Sequence, residues 1–508
     1  MLERVVSQVR RWTAALADKP GSFGLVLVIL TLLLRLPVLG SRPVWYDEAF
    51  SVLLAARPLG DILAGTAADT MPPAYYLALR LWMSVGQTIW FLRALNVVLG
   101  VLLVGLTYVM ARACYDTHSA AWAALLSAAS PLLIYHSQEL RMYTLLALAL
   151  GVYAYLVFRL MVAPGGRQPW GWWAGLIAAG ALALYTHNLA VFSLVAPNVY
   201  LAIRRSWRDL GRLVLAQVAM VLVFLPWLVV VPGQVAKIQA AFWTPRPGAL
   251  EIVQAVVSFH AALPLPASWI PVGVTAAVLA FVATLYVVVR QGGGHTGTGY
   301  LLTLLLIPPG LLFLASYFMR PLFVPRACLL SLIAYLILAG WVIASARPRL
   351  LAWTVAAAFG IAAAVGLPAQ FAHDTFPRSP FDAAATYLMA SDQPGDVVVH
   401  DNKLSFFPMH LYAPDLAQVF LPDAPGSHND TLALPTQRAL GLYPLSGVEE
   451  AARGARRIRY VVFERALEEY SMRPEGQPPA LTWLQAHAPP GEVEKFNDLW
   501  VYDFLLVP

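Results

Sequence analysis

Charge is what this sequence has least of. Only 12% of its 508 residues are Asp, Glu, Lys or Arg, whereas 59% are hydrophobic. Soluble domains carry about 25% charged and 45–50% apolar residues, so this chain has more apolar surface than a water-soluble core can bury. The fold class expected is a polytopic α-helical membrane protein. Cysteine is also scarce: Cys114 and Cys328 sit in or beside apolar runs without metal-type spacing, and read as small core residues. A nucleotide-phosphate loop is missing, because "RQGGGHTGTGY" at 290–300 lacks the P-loop pattern and reads as a flexible connection. The net charge of +6 raises the question of a nucleic-acid partner, but Lys and Arg form no dense stripe for phosphate tracking. The His residues show no metal spacing either.

Long apolar runs are abundant. Arg4, Arg10, Arg11 and Lys19 precede "FGLVLVILTLLL" from Phe23, and no small-residue cleavage site follows. The segment therefore reads as an uncleaved first span with a cytoplasmic N-terminus, Arg35 snorkelling at its outer end. A span needs about 20 apolar residues. Segments 23–39, 91–111, 119–136, 142–162, 171–186, 189–203, 213–231, 270–289, 300–318, 323–344 and 350–367 qualify, about eleven spans in all. Lys and Arg concentrate in alternate connections: Arg112, Arg159 with Arg167, "RRSWRDLGR" at 204–212, Arg290 and "ARPR" at 346–349. By the positive-inside rule these face the cytoplasm. The long segment 40–90, "SQELR" at 137–141, "THN" at 186–188, the loop 232–268 and "MRPLFVPR" at 319–326 then face outward. After residue 367 the composition changes, and strand-like runs such as "RYVVF" and "LWVYDFLLV" indicate a soluble α/β domain, 368–508, which the odd number of spans places on the extracytoplasmic side. Residues 1–367 form the membrane domain.

The outer segment 40–90 carries an adjacent acid pair, Asp47 and Glu48, in "RPVWYDEAFSVLLAAR". Its periodic apolar residues suit amphipathic helices in the membrane interface, with Trp45, Tyr46, Tyr75, Tyr76, Trp82 and Trp90 at headgroup depth. The bland explanation makes Asp47 an N-cap for a helix starting at Glu48, with Glu48 favoured by the helix dipole. Against it, the same surface gathers Asp69, Glu139, Arg141, His187, Lys237, Arg246, Arg320 and Arg326 from several span ends. Carboxylates with dispersed cations suit a reaction in which a base removes a proton and a phosphate leaves.

Four stretches in order, "RPVWYDEAFSVLLAAR", "DTMPPAYYLALRLWMSVG", "SPLLIYHSQELRMYTLLALALG" and "LYTHNLAVF", resemble the bacterial GT-C glycosyltransferases of the protein O-mannosyltransferase type, a group similar in fold to the aminoarabinose transferase of lipid A. The resemblance spans the first 200 residues, extends weakly through "FVPRACLLSLIAYLILAGW", and leaves out the C-terminal domain. It implies an integral-membrane enzyme moving a sugar from a polyprenyl-phosphate carrier to a lipid, glycan or protein acceptor outside the cytoplasm. It also implies that Asp47 is the general base, with Glu48 beside it and Asp69 at a second polar position. Many relatives carry His where this chain has Met71. Glu48, Asp69, Glu139, Arg141, Tyr143, His187 and Arg326 form the candidate substrate-binding set. Arg141 or Arg326 would offset the leaving phosphate with planar guanidinium forks, and Lys237 would act as a compact charge.

His187 also reads as a helix terminator, and Glu139 with Arg141 as an anchor for a helix turn. Carboxylates at this surface suit Mg or Mn as a possible divalent cofactor. Three other functions stay open: a transporter or flippase of lipid-linked sugars, a lipid-linked oligosaccharide ligase or polymerase, and a receptor-like scaffold. Transporters bury ionisable groups near the midplane, whereas here the acids collect at outer span ends. The scaffold leaves the acid pair unexplained.

Overall fold

The structure, a computed structural model, describes residues 20–506 apart from 164, 166–167, 241–243, 425–426 and 428–429. The early basic residues Arg4, Arg10, Arg11 and Lys19, and Arg167, lie outside the described residues. All eleven expected segments contain helix. Among the described residues seven helices are long and apolar enough to cross a membrane, and an eighth candidate is bent by 57° between Thr117–Ala129 and Pro131–Ser137. Of the other three segments, Pro20–Arg35 shows 16 described residues, Trp170–Thr186 has 17, and Ala190–Leu194 is separated from Ala196–Ile203 by a break at Val195. The helix Leu329–Ser345 lies at the centre, its span window 94% buried in protein, against 28% for Trp207–Leu228 with its exposed Leu215, Leu222 and Val223.

The bend has a specific chemical cause. Pro131 has no N–H and starts a new helix capped by Ser130, which leaves carbonyls of the preceding turn without their helical donors. Arg35 supplies replacements, donating from Nη1 to Ala128 O at 2.9 Å and from Nε to Ser137 Oγ at 3.2 Å. It is fully buried. The expected snorkelling of Arg35 is thus corrected: carbonyls freed by the bend hold it inside.

The C-terminal part forms one five-stranded sheet, ordered β2-β1-β3-β5-β4, with β1 Asp396–His400, β2 Gln418–Phe420, β3 Arg457–Phe463, β4 Pro490–Phe496 and β5 Leu499–Leu505. β2, β1 and β3 run parallel; β5 and β4 are antiparallel. Alternation along β3 sends Val461 and Phe463 to one core with Phe381 and Leu388, and Ile458, Tyr460 and Val462 to another with Leu481 and Leu484.

The sheet unit is fused to the outer segment. Val44, Phe50, Leu54, Ile62 and Tyr76 share a core with Phe406, Phe407, Phe420 and Leu440. Val44 N donates to Tyr412 Oη at 2.8 Å, and Thr436 Oγ1 to Gly65 O at 3.2 Å. The helices Tyr46–Ala55, Leu59–Ala68 and Ala74–Met83 form as expected, but they are sandwiched between the spans and the sheet unit. The headgroup placement of their aromatics is corrected accordingly. Tyr75 and Tyr76 are buried, Tyr46 packs on Phe407 with ring centroids 5.2 Å apart, and Trp82 stacks on Phe91, whereas Trp90 stays exposed.

Candidate active site

Successive helical residues point about 100° apart, so the two acids of the first turn of Tyr46–Ala55 meet different surroundings. Glu48 turns inward and is fully buried. Its Oε1 accepts from Arg93 Nε at 3.0 Å and from Leu140 N at 2.9 Å; its Oε2 accepts from Arg93 Nη2 at 2.8 Å and from Arg378 Nη1. Burial alone would raise its pKa, but Arg378 and Arg93 outweigh burial and hold it down to about 2. Arg93 Nη1 also ties down Leu39 O at 2.9 Å and Arg42 O at 2.8 Å, so one guanidinium fixes both the acid and the turn leaving the first helix. Glu139 belongs to the same cluster, 2.7 Å from His136 Nδ1 and 3.8 Å from Arg378 Nη2. Neither Glu48 nor Glu139 lies open to a substrate.

Asp47 turns the other way. Its side chain is 26% exposed and lies 3.5 Å from Arg141 Nη2. The helix begins at Tyr46 with Trp45 as an N-cap that makes no side-chain bond, so the N-cap reading of Asp47 fails. Arg141 is held in turn, because Asn96 Nδ2 donates to Arg141 O at 2.9 Å and to Tyr75 Oη at 3.1 Å. Tyr143 follows, with Arg326 5.6 Å from its ring centroid and the His187 ring 6.1 Å away. His187 does terminate Trp170–Thr186, and its Nδ1 accepts from Leu189 N at 3.1 Å. Burial, with Arg326 and Arg141 nearby, pushes its pKa down to about 3, so the ring is neutral with its proton on Nε2. Asp47, Arg141, Tyr143, His187 and Arg326 therefore form one group.

Asp69 stands apart from that group, paired with Lys237 Nζ at 3.0 Å. Burial first, and then the Asp69 and Asp47 carboxylates, raise the pKa of the half-buried Tyr46, so both acids lie near one phenol. The helix Val231–Ala240 straps this side, Gln234 Nε2 donating to Thr66 O at 2.8 Å and Lys237 Nζ to Ala68 O at 3.1 Å. Met71 packs against the apolar core. Arg246 and Arg320 line a different open cleft with Tyr317 and Phe318. Among the described residues no three His, Cys, Asp or Glu side chains gather to hold a metal ion. The acids pair with guanidinium and ammonium groups: Glu48 and Glu139 with Arg378, Asp47 with Arg141, and Asp69 with Lys237.

Sequence reasoning missed Arg93, Asn96, Arg42, His136 and Arg378. A charged and a polar residue near the start of the apolar helix Ile89–Cys114 were signals for Arg93 and Asn96. Nothing marks Arg378.

The family model described as dolichyl-phosphate-mannose-protein mannosyltransferase matches residues 70–231, which include Glu139, Arg141, Tyr143 and His187 and begin after the acid pair. No curated protein matches the chain. Among solved structures, ArnT from Cupriavidus metallidurans in the apo state is 15% identical with a TM-score of 0.65, over 96% of this chain and 98% of that one. The chain has the GT-C glycosyltransferase fold. ArnT bound to undecaprenyl phosphate gives 14% identity and a TM-score of 0.61, over 94% of this chain and 97% of that one. Oligosaccharyltransferase AglB from Archaeoglobus fulgidus, in complex with an inhibitory peptide and a dolichol-phosphate, gives 12% and 0.52, over 95% of this chain and 74% of that one. The family match covers residues 70–231, and the fold is that of multi-pass membrane glycosyltransferases of the GT-C type.

The Glu48 clamp gives this protein a pH signature. Glu48's pKa is lowered from 4.5 to about 2, so its stabilisation, on the order of 3 kcal/mol, is present above pH 4.5 and lost as the pH falls toward 2. Arg378→Met removes one cation and moves Glu48's pKa back up. In detergent solution the variant should melt lower than wild type at pH 7 and lose less further stability between pH 4.5 and 2. Parallel melting curves displaced by a constant amount would show that Arg378 does not set the state of Glu48.

Proposed function

We propose that this enzyme transfers a single sugar from a polyprenyl-phosphate donor to an acceptor hydroxyl by an inverting single displacement, with Asp47 as general base. The observation that carries this reading is the division of the acid pair: Asp47 keeps an open carboxylate beside Arg141, while Glu48 is consumed by structure. In the step, the acceptor oxygen bonds to the anomeric carbon, the carbon–phosphate oxygen bond breaks, and the hydroxyl proton passes to Asp47. Polyprenyl phosphate leaves with the electron pair. Arg141 and Arg326 supply the compensating charge, and neutral His187 offers its Nε2 proton without adding to it. The carriers bound in the ArnT and AglB structures, undecaprenyl phosphate and dolichol-phosphate, support a lipid-phosphate donor. So does an apolar cavity of ≈ 200 Å³ lined by Trp122, Leu126, Phe259, Ile343 and Phe359, since the helix carrying Phe259 packs against the turn carrying Arg326. The mannosyltransferase match favours a single sugar over an oligosaccharide.

Asp47→Asn keeps shape and hydrogen bonding but removes basicity. With purified protein and a panel of polyprenyl-phosphate sugars, transfer should fall about 10²–10⁴-fold with donor binding retained. Near-normal turnover would remove Asp47 from the chemistry.

We also place the acid pair and the C-terminal sheet unit outside the cytoplasm, with the N-terminus inside. The Arg-rich connections at 204–212 and 346–349 support this orientation. Protease added to intact spheroplasts should cut the sheet unit and spare 204–212. The opposite pattern would invert the topology.

A further inference from the structure

We propose that Arg42 and Arg378 form a buried site for a phosphate-class oxyanion, behind Glu48 and separate from the Asp47 face. Three arginines, Arg42, Arg93 and Arg378, surround two glutamates, Glu48 and Glu139, and all five side chains are buried. Three positive charges against two negative leave a net charge of +1 even with His136 neutral. Arginine does not lose its proton in proteins, and a buried cation without a counter-charge is strongly unfavourable.

The surplus is localised. Arg93 spends its nitrogens on Glu48 and on the Leu39, Arg42 and Pro43 carbonyls. Arg42 Nε and Nη1 are buried with no hydrogen-bond partner, as are Arg378 Nε and Nη2, the last having only Glu139 Oε2 at 3.8 Å. Both guanidinium carbons sit near one ring, 5.1 Å (Arg42) and 5.8 Å (Arg378) from the Tyr135 centroid, and Trp45 Nε1 beside Arg378 is also without a partner. Two cations drawn together with unused donors lack an acceptor that carries several oxygens and negative charge. The planar fork of arginine matches a phosphate. Arg42 keeps 5% exposure while Arg378 has none, so the ligand would arrive from the Arg42 side. That side follows directly on the apolar helix Pro20–Arg35. The phosphate thus comes either from a lipid headgroup or from solution.

Thermal midpoints of the purified full-length protein in detergent, titrated with inorganic phosphate against chloride at matched ionic strength, test the site. Wild type should show a saturable rise, and Arg42→Gln should weaken the apparent phosphate affinity at least tenfold. Arg42 makes no side-chain hydrogen bond, so Arg42→Gln in chloride should melt no lower than wild type. Should that variant fail to fold, Arg42→Lys, which keeps the charge and loses the fork, should weaken the phosphate response in the same direction. Repeating the titration in nanodiscs separates the sources. Loss of the phosphate effect in phosphatidylglycerol, but not in phosphatidylcholine, identifies a lipid headgroup; persistence in both identifies free phosphate. Absence of any rise in wild type, or an undiminished rise in the folded Arg42 variant, overturns the proposal.

Discussion

Glu48 is a carboxylate with no access to water, and its only solution is to be surrounded by donors. Four hydrogen bonds from Arg93, Arg378 and Leu140 N meet its two oxygens. Those donors come from an apolar span, from the linker before the sheet unit, and from an outer turn between spans. A buried ion pair is a weak source of net stability, yet breaking one is costly. The clamp therefore works as a registration device: it forces three distant segments to meet at one turn of one short helix.

That meeting determines what Asp47 can do. With Glu48 fixed inward, the helix rotation that remains points Asp47 at Arg141, and the turn holding Arg141 is the same one whose Leu140 N binds Glu48. Asn96 braces this turn from the span that also carries Arg93. The structural acid and the exposed acid are thus coupled through adjacent backbone, and the buried Glu48 orients the open Asp47.

The sequence made the membrane class and the gathering of charge at the ends of apolar segments legible, because each shows as composition or as a charge interrupting an apolar pattern. Loop alternation puts Arg141, His187 and Arg326 on one surface together with Arg246 and Arg320, and only the structure separates the two sets and adds Tyr143 to the first. What stayed hidden depended on contacts across hundreds of residues. Arg378 lies 330 positions from Glu48 and sits in an unremarkable linker. Tyr75 and Tyr76 carry the pattern of interfacial aromatics, and only the docked sheet unit turns their surroundings into a core. Asp47 looked like a cap because a two-residue shift of a helix start is invisible in composition, and the start at Tyr46 places it inside the first turn. Short helices such as Trp170–Thr186 show the same limit, since apolarity alone does not say where a helix stops.

The account makes Glu48 the anchor and leaves the chemistry to its neighbour, and Glu48→Gln separates these roles most directly. Measured together, the melting temperature, the protease resistance of the C-terminal sheet unit and the transfer rate should all fall in the variant. Loss of one partner from a buried pair costs about 3–5 kcal/mol, and a loosened linker would expose the sheet unit to cleavage. A Glu48→Gln protein that melts like wild type, has its sheet unit cut no faster than in wild type and yet transfers no sugar would overturn that assignment, because Glu48 would then act in the reaction itself.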